Sequence, residues 1–178
     1  MLLACAMMLA FAACGSSPAP AASEAPAAED DGTVKVAIIK QLDHASLDEI
    51  ANAIAARFDE MNAAGDVKVE YSISSGQNDQ TILKQLCDQA IADKVDVIVP
   101  IATTAAQVAT LSAEGTGVKV VYAAISDPAA ANLTGIDYVT GTSDALNTSF
   151  ILDMMFAQNP DIKKVGLLYS LSEPNSAT

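Results

Sequence analysis

From Thr33 onward the chain alternates short apolar runs with longer stretches whose apolar residues recur every three or four positions. The runs are VKVAII, VKVEYSI, VDVIVPI and VKVVYAAI; between them lie SLDEIANAIAARFDEMNAAG, DQTILKQLCDQAIADK and TTAAQVATLSAEG. Near-continuous apolar strands separated by amphipathic helices can bury their faces in few ways. They pair in parallel through helical crossovers, with helices packed on the sheet. The sequence therefore specifies an α/β fold, a Rossmann-like parallel sheet with helices on both faces. In the first helix Leu47, Ile50, Ile54, Phe58 and Met61 share one face and Gly65 ends it. A looser segment, SDPAAANLTGIDYVTGTSD, leads to a fourth helix around ALNTSFILDMMFAQ, and KKVGLLYS reads as a further strand.

The first 31 residues do not share this pattern. Residues 1–13, MLLACAMMLAFAA, carry no charge and meet Cys14. That run is too short to span a bilayer and fits the apolar core of a signal peptide. Ala12-Ala13-Cys14 resembles the lipobox of bacterial lipoproteins, in which the cysteine becomes the lipidated first residue. No Lys or Arg precedes the run, which departs from the signal pattern. GSSPAPAASEAPAAEDD follows, and it has nothing to pack; it reads as a tether. With Cys5 in the signal and Cys14 lipidated, Cys87 is left without a disulfide partner. Its helical register with Leu83 and Ile91 makes it a small buried hydrophobe.

Charge excludes some functions. Lys and Arg number 9 against 22 Asp and Glu, a net charge of −13, so the chain lacks the excess cations that bind nucleic acid or an anionic membrane surface. The hydrophobic content of 51% suffices for a core, and with 4% aromatics that core is Ala, Val, Ile and Leu.

In a parallel sheet, ligands bind beyond the carboxyl ends of the strands. The loops at that edge form a set. They hold Gln41 and His44 after the first strand, Ser74 to Asp79 after the second and Thr103-Thr104 after the third. Ser126-Asp127 follow the fourth, Gly141-Thr142-Ser143-Asp144 lie in the crossover, and Ser170 to Ser176 follow the last. Helix capping accounts for part of this. Ser46 and Glu49 form an S-x-x-E box, Thr104 and Gln107 a T-x-x-Q box, and Asp127 and Asp144 suit N-caps. Capping does not require Gln41, His44, Ser75, Thr103 or Thr142. Helix N-termini converging on one cleft would suit a carboxylate.

Enzyme signatures are missing from the sequence. There is no G-x-G-x-x-G or G-x-x-x-x-G-K-[ST] loop and no G-x-S-x-G elbow. His44 is the sole histidine; Asp43 and Asp48 are near it, but a lone histidine is a poor basis for a metal site. The reading is a non-enzyme without cofactor or metal.

Six motifs in order resemble the bacterial ABC-transporter substrate-binding lipoproteins of the tryptophan/tyrosine-uptake family. They are Gln41 with His44-Ala45-Ser46-Leu47-Asp48; Ser74 to Gln80; Ile101 to Gln107; Ser126-Asp127-Pro128; Gly141 to Asp144; and Tyr169 to Ser176. The resemblance covers residues 33–178 and implies two Rossmann-like lobes closing on a ligand, as in type I periplasmic binding proteins. Departures fall at Ala45 and Thr104, where prolines are usual, at Ser75 in place of asparagine, and at Ser170-Leu171 in place of Asn-Ser. The organisation implied is a signal peptide over 1–13 and a lipidated Cys14 with linker over 14–32. Lobe one follows over 33–140, then a crossover and the start of a truncated second lobe over 141–178. By the resemblance, the ligand is a small molecule such as an amino acid, aromatic ones included. The partner is an ABC permease, and the location is the outer face of the bacterial cytoplasmic membrane. The lining would be Gln41, His44, Ser75, Thr103, Thr104, Asp127, Thr142, Ser143 and Asp144, with Ser172 and Asn175 closing from lobe two. An extracytoplasmic sensor module and a flavodoxin-like enzyme stand as alternatives.

Overall fold

The structure is a computed structural model and describes residues 32–168. Its elements, in chain order, are β1 (Thr33–Lys40), α1 (Ala45–Ala64), β2 (Lys68–Ser75), α2 (Gln80–Ala92) and β3 (Val97–Ile101). Then come α3 (Thr103–Ala113), β4 (Lys119–Ile125), β5 (Val139–Ser143) and α4 (Thr148–Gln158). The strands form one sheet in the order β2-β1-β3-β4-β5, and every pairing is parallel. The α/β sheet expected from the sequence is the one observed.

Alternate residues of β1 serve two cores, because successive side chains point to opposite faces. Val36 and Ile38 join Val69, Val99 and Ile101 under α1. Ala37 and Ile39 join Ile98 and Val120 under α2 and α3. Of the α1 face read from the sequence, Leu47, Ile50, Ile54 and Phe58 are half-buried against the sheet, while Ala51 and Ala55 are the buried ones. Small side chains sit where helix and sheet approach most closely, and larger ones flank them. Gly65 closes α1 with φ 75°, a left-handed conformation that favours glycine. Cys87 is fully buried against Leu83 and Ala90, and desolvation pushes its thiol up to about 12.

Two parts differ from the sequence expectation. The segment read as loose contains a fifth strand, since β5 pairs along β4 from Val139 to Ser143. It lies next to a register shift between Tyr122 and Ile125, where Ala124 has φ 57°. Gly141 is needed there, because a Cβ at that position would sit 2.2 Å from the Tyr122 carbonyl oxygen. The run KKVGLLYS, expected as a strand, pairs with nothing in this sheet over its described residues Lys163–Leu168. Leu167 and Leu168 lie fully open to solvent, as do Phe150 and Met154 of α4 in large part.

Gly76 marks a close approach between the β2–α2 loop and α2. A Cβ there would lie 2.3 Å from Leu83 Cδ2 and 3.1 Å from the Gln41 carbonyl oxygen. Leu83 is itself fully buried, so it has little room to yield. Gly76→Ala is expected to destabilise the chain by about 1–3 kcal/mol, the scale of overpacking in a filled interior. Chemical denaturation measures this; an unchanged midpoint would show that Leu83 can move aside.

Candidate functional site

The chain leaves β1 toward one side to make β2, then returns past β1 to make β3 on its other side. This reversal separates the loops after β1 and β3, because α1 and α3 leave toward opposite faces. A crevice beyond the strand ends at such a switch point is where open α/β sheets bind ligands. Gln41 sits after β1 at this point, and Ala102-Thr103-Thr104 after β3.

Gln41 is completely buried. Its backbone N–H donates to the Ile101 carbonyl at 3.1 Å, and its carbonyl accepts from the Asn78 N–H at 2.8 Å. Its side-chain Nε2 donates to Asn78 Oδ1 at 3.1 Å, while Oε1 accepts from the Thr104 N–H at 3.1 Å. One residue thus ties together the loops after β1, β2 and β3. Gln77 and Asn78 take left-handed backbone conformations, φ 53° and 56°, which turn the β2–α2 loop toward it.

A charged cluster flanks this node. Lys40 Nζ donates to Asp43 Oδ1 at 2.9 Å and to Asp48 Oδ1. Gln77 Nε2 donates to the other Asp43 oxygen at 2.8 Å. The Asp48 and Asp43 carboxylates raise the Lys40 ammonium above its usual range, and Lys40 with Gln77 holds Asp43 below the usual carboxylate range. Two carboxylates share one ammonium, so the cluster is anionic.

His44 is exposed and is itself the N-cap of α1: its Nδ1 accepts from the Ser46 N–H at 3.3 Å. This corrects the Ser46–Glu49 capping box, since the helix begins at Ala45 and Ser46 already lies inside it. The Thr104–Gln107 box is likewise replaced. The α3 N-cap is Ala102, which has no side-chain acceptor, and the Thr104 N–H is capped by Gln41 instead. Ala102 has φ 78° and ψ 163°, a region that glycine alone adopts without strain. Thr103 begins α3, is 4% exposed, and its Oγ1 has no hydrogen-bond partner among the described residues. Thr104 is half-buried.

The remaining expected residues lie further along the same edge. Ser75 ends β2 and is half-buried, contributing with Lys40 and Gln77 to the lowering of Asp43. Asp127 is exposed; its Oδ1 accepts from the Ala130 N–H at 2.9 Å, so it caps a turn rather than the helix expected there. Thr142, Ser143 and Asp144 are exposed at the end of β5, and Ser143 Oγ donates to the Ser126 carbonyl at 3.3 Å. Asp144 does not cap α4, as the sequence suggested. Asn147 does so, accepting from the Phe150 N–H at 3.0 Å. Ser172, Asn175 and Cys14 lie outside the described residues. Lys40, which the sequence places in the loop after the first strand, ends β1, and Asn78 is one of six loop residues with nothing in the sequence to set it apart. A glycine followed by Gln-Asn-Asp before a helix was the available signal for a tight turn.

A groove of about 570 Å³ lies on the outer side of α3, lined in part by Gln80, Thr104, Gln107 and Tyr138. It includes none of Gln41, His44, Ser75 or Thr103. Among the described residues, no cluster of three or more His, Cys, Asp or Glu could hold a metal ion. No helix among them is long and apolar enough to cross a membrane.

The chain is thus an α/β protein built on a five-stranded parallel sheet whose strand order reverses at β1. Residues 35–178 match the ABC transporter substrate binding protein family, and the chain belongs to it. It is 26% identical over 146 residues to a tyrosine-binding protein of Clostridioides difficile, covering 79% of this chain and 42% of that protein. An ABC domain from Streptococcus pneumonia, solved in complex with L-Trp, is 32% identical with a TM-score of 0.71, over 81% of this chain and 50% of that one. The ligand-free, open form of a Clostridium difficile substrate binding protein with adhesive properties is 26% identical. Its TM-score is 0.62, over 80% and 50% of the two chains. The chain thus spans about half the length of these relatives.

Asp79 caps α2 at this edge, accepting from the Thr81 and Ile82 N–H groups at 2.7 and 3.3 Å. Those bonds hold its carboxyl below the usual carboxylate range. A folded value below the unfolded one stabilises the fold above the unfolded value, and that contribution is lost as the pH falls through the folded one. Asn caps comparably but does not titrate. Asp79→Asn is therefore expected to melt near wild type at neutral pH and to lose less stability than wild type below about pH 4. Parallel losses in melting scans across that window would remove the capping charge from the acid response.

Proposed function

We propose that this chain is the first lobe of an extracytoplasmic receptor that binds an amino acid and delivers it to an ABC permease. The observation that carries the reading is the α3 N-terminus at the switch point, with a buried, unpartnered Thr103 hydroxyl beside it. A helix N-terminus carries partial positive charge and N–H groups suited to a carboxylate. A carboxylate oxygen would give the Thr103 hydroxyl the acceptor it lacks. Asp127 and Asp144, exposed on neighbouring strand ends, are suited to the ammonium. His44, Ser75, Thr104, Thr142 and Ser143 border the same edge, and Ser172 and Asn175 would close from the second lobe. Similarity to a tyrosine-binding protein and to a domain solved with L-Trp supports amino acids, aromatic ones included, as the ligand class.

Within this reading residues 33–140 form lobe one, and residues 141–178 carry the crossover and the opening of lobe two. The exposed apolar side chains of α4, including Phe150, Ile151 and Met154, support it, as do the unpaired residues Lys163–Leu168. Closure of the two lobes would present the liganded form to the permease. Residues 1–13 would be the signal peptide and Cys14 the lipid anchor, holding the receptor to the outer face of the cytoplasmic membrane through a linker over 14–32.

Calorimetric titration with L-tyrosine and L-tryptophan tests the ligand. In a receptor carrying both lobes, Thr103→Val is expected to weaken binding by about 1–2 kcal/mol, the scale of one hydrogen bond to a charged group. Its melting temperature should hold or rise, since the variant deletes an unpartnered buried hydroxyl. Unaltered affinity would place the carboxylate elsewhere.

The anchor is tested separately. Cys14→Ser is expected to move the protein from the detergent phase to the aqueous phase on partitioning, with its circular dichroism unchanged. Retention in the detergent phase would exclude Cys14 as the lipid attachment point.

A further inference from the structure

We infer that Gln41 is a positioning residue, a remote N-cap that holds the α3 N-terminus and the β2–α2 loop in register rather than a contact to ligand. The inference rests on the proposed ligand reading for its functional consequence, and on geometry alone for its mechanism. Helices begin with N–H groups that have no intrahelical acceptor, and a side chain at the N-cap position usually supplies one. At α3 that position is Ala102, which cannot. The first intrahelical bond is the Ala106 N–H to the Ala102 carbonyl, so the Thr104 N–H must look outside the helix. It finds Gln41 Oε1, 63 residues earlier in the chain.

The same carboxamide uses its Nε2 on Asn78 Oδ1, and the Gln41 carbonyl takes the Asn78 N–H. Both ends of the amide are therefore engaged within the protein, and the residue is 0% exposed. A side chain in that state fixes the distance between Thr104 and Asn78, which flank the crevice on its β3 and β2 sides. Thr103, next to Thr104, inherits its placement from this cap. A change at Gln41 would thus reach the ligand through the orientation of α3.

Amide hydrogen exchange on the unliganded protein tests the mechanism without reference to any ligand. Gln41→Met keeps the side-chain volume and removes both polar contacts. Exchange at the Thr104 amide is expected to quicken about tenfold, the scale of a lost cap, while Ile38 and Val99 amides in β1 and β3 stay protected. Gln41→Glu retains an oxygen for the Thr104 N–H, and protection there should return. An unchanged Thr104 rate in Gln41→Met would overturn the inference. Should that variant not fold, Gln41→Asn, one methylene too short to reach both partners, carries the same comparison.

Titration with L-tyrosine and L-tryptophan adds the functional arm. Binding is expected to weaken about tenfold in Gln41→Met. Weakened binding in Gln41→Met with the Thr104 amide still protected would mean that Gln41 acts on the ligand itself, and would overturn the inference. If wild type binds neither amino acid, the proposed ligand reading fails, and the exchange comparison alone decides the role of Gln41.

Discussion

The reversal of strand order at β1 is the constraint from which the rest of this edge follows. A parallel sheet gathers all its carboxyl-terminal loops on one side, and each successive helix must leave from there. With β2 and β3 on opposite sides of β1, the helices that follow β1 and β3 diverge to opposite faces of the sheet. Buried polar backbone groups need partners. At the strand ends the ladders supply them: the Gln41 N–H reaches Ile101, and the Gly76 N–H reaches the Lys40 carbonyl at 2.8 Å. These bonds carry the β1–β3 and β1–β2 ladders to the very ends of the strands, where the helices depart.

How much of this was legible depended on the range of the physics involved. The first four strands and the first three helices follow from periodicity, which is local and repeated over many residues. The burial of Cys87 and the glycine stop at Gly65 were legible for the same reason. The strand Val139–Ser143 was not, because VTGTS has one aliphatic residue and pairs on one side with β4. The caps at Ser46, Thr104 and Asp144 were misplaced, since S-x-x-E and its variants recur wherever polar residues crowd a helix start. The actual caps, His44 and Asn147, lie two residues before Ser46 and three after Asp144. Gln41 was recognised as a site residue but not as a cap, because its acceptor role depends on a backbone N–H 63 positions away.

Charge acts on this edge at short range. The chain carries −13 overall, yet the Lys40 ammonium sits at the end of β1 with two carboxylates around it. Lys40 is largely buried while Asp43 and Asp48 are more exposed, so the lysine is the group that most needs compensation. Because Asp48 lies in the first turn of α1 and Gln77 in the β2–α2 loop, the cluster ties the β1–α1 and β2–α2 segments together. Two independent ties, one neutral and buried and one charged and outer, therefore hold the loops after β1 and β2, and the Gln41 tie extends to the start of α3. Salt screens the outer tie and leaves the inner one intact.

Two energetic costs coincide at the start of α3. Ala102 occupies a backbone region in which a Cβ is unfavourable by about 1–3 kcal/mol. Among the described residues the Thr103 hydroxyl is buried without a partner, which costs about 1–3 kcal/mol on the same scale. A glycine at 102 and a valine at 103 would relieve both without disturbing the apolar core. The surrounding bonds over-determine the strained geometry: the Ala102 N–H is held by the Ala123 carbonyl at 3.1 Å, and Gln41 fixes both the preceding strand end and the following helix turn. Strain held in place from several sides is a property of sites that must be preformed before a ligand arrives. On the proposed reading, the arriving carboxylate supplies the acceptor that Thr103 lacks and meets a helix N-terminus already aimed at it. The free energy of binding then includes the relief of an unsatisfied group, and the rigidity that Gln41 gives α3 keeps that group from finding relief any other way.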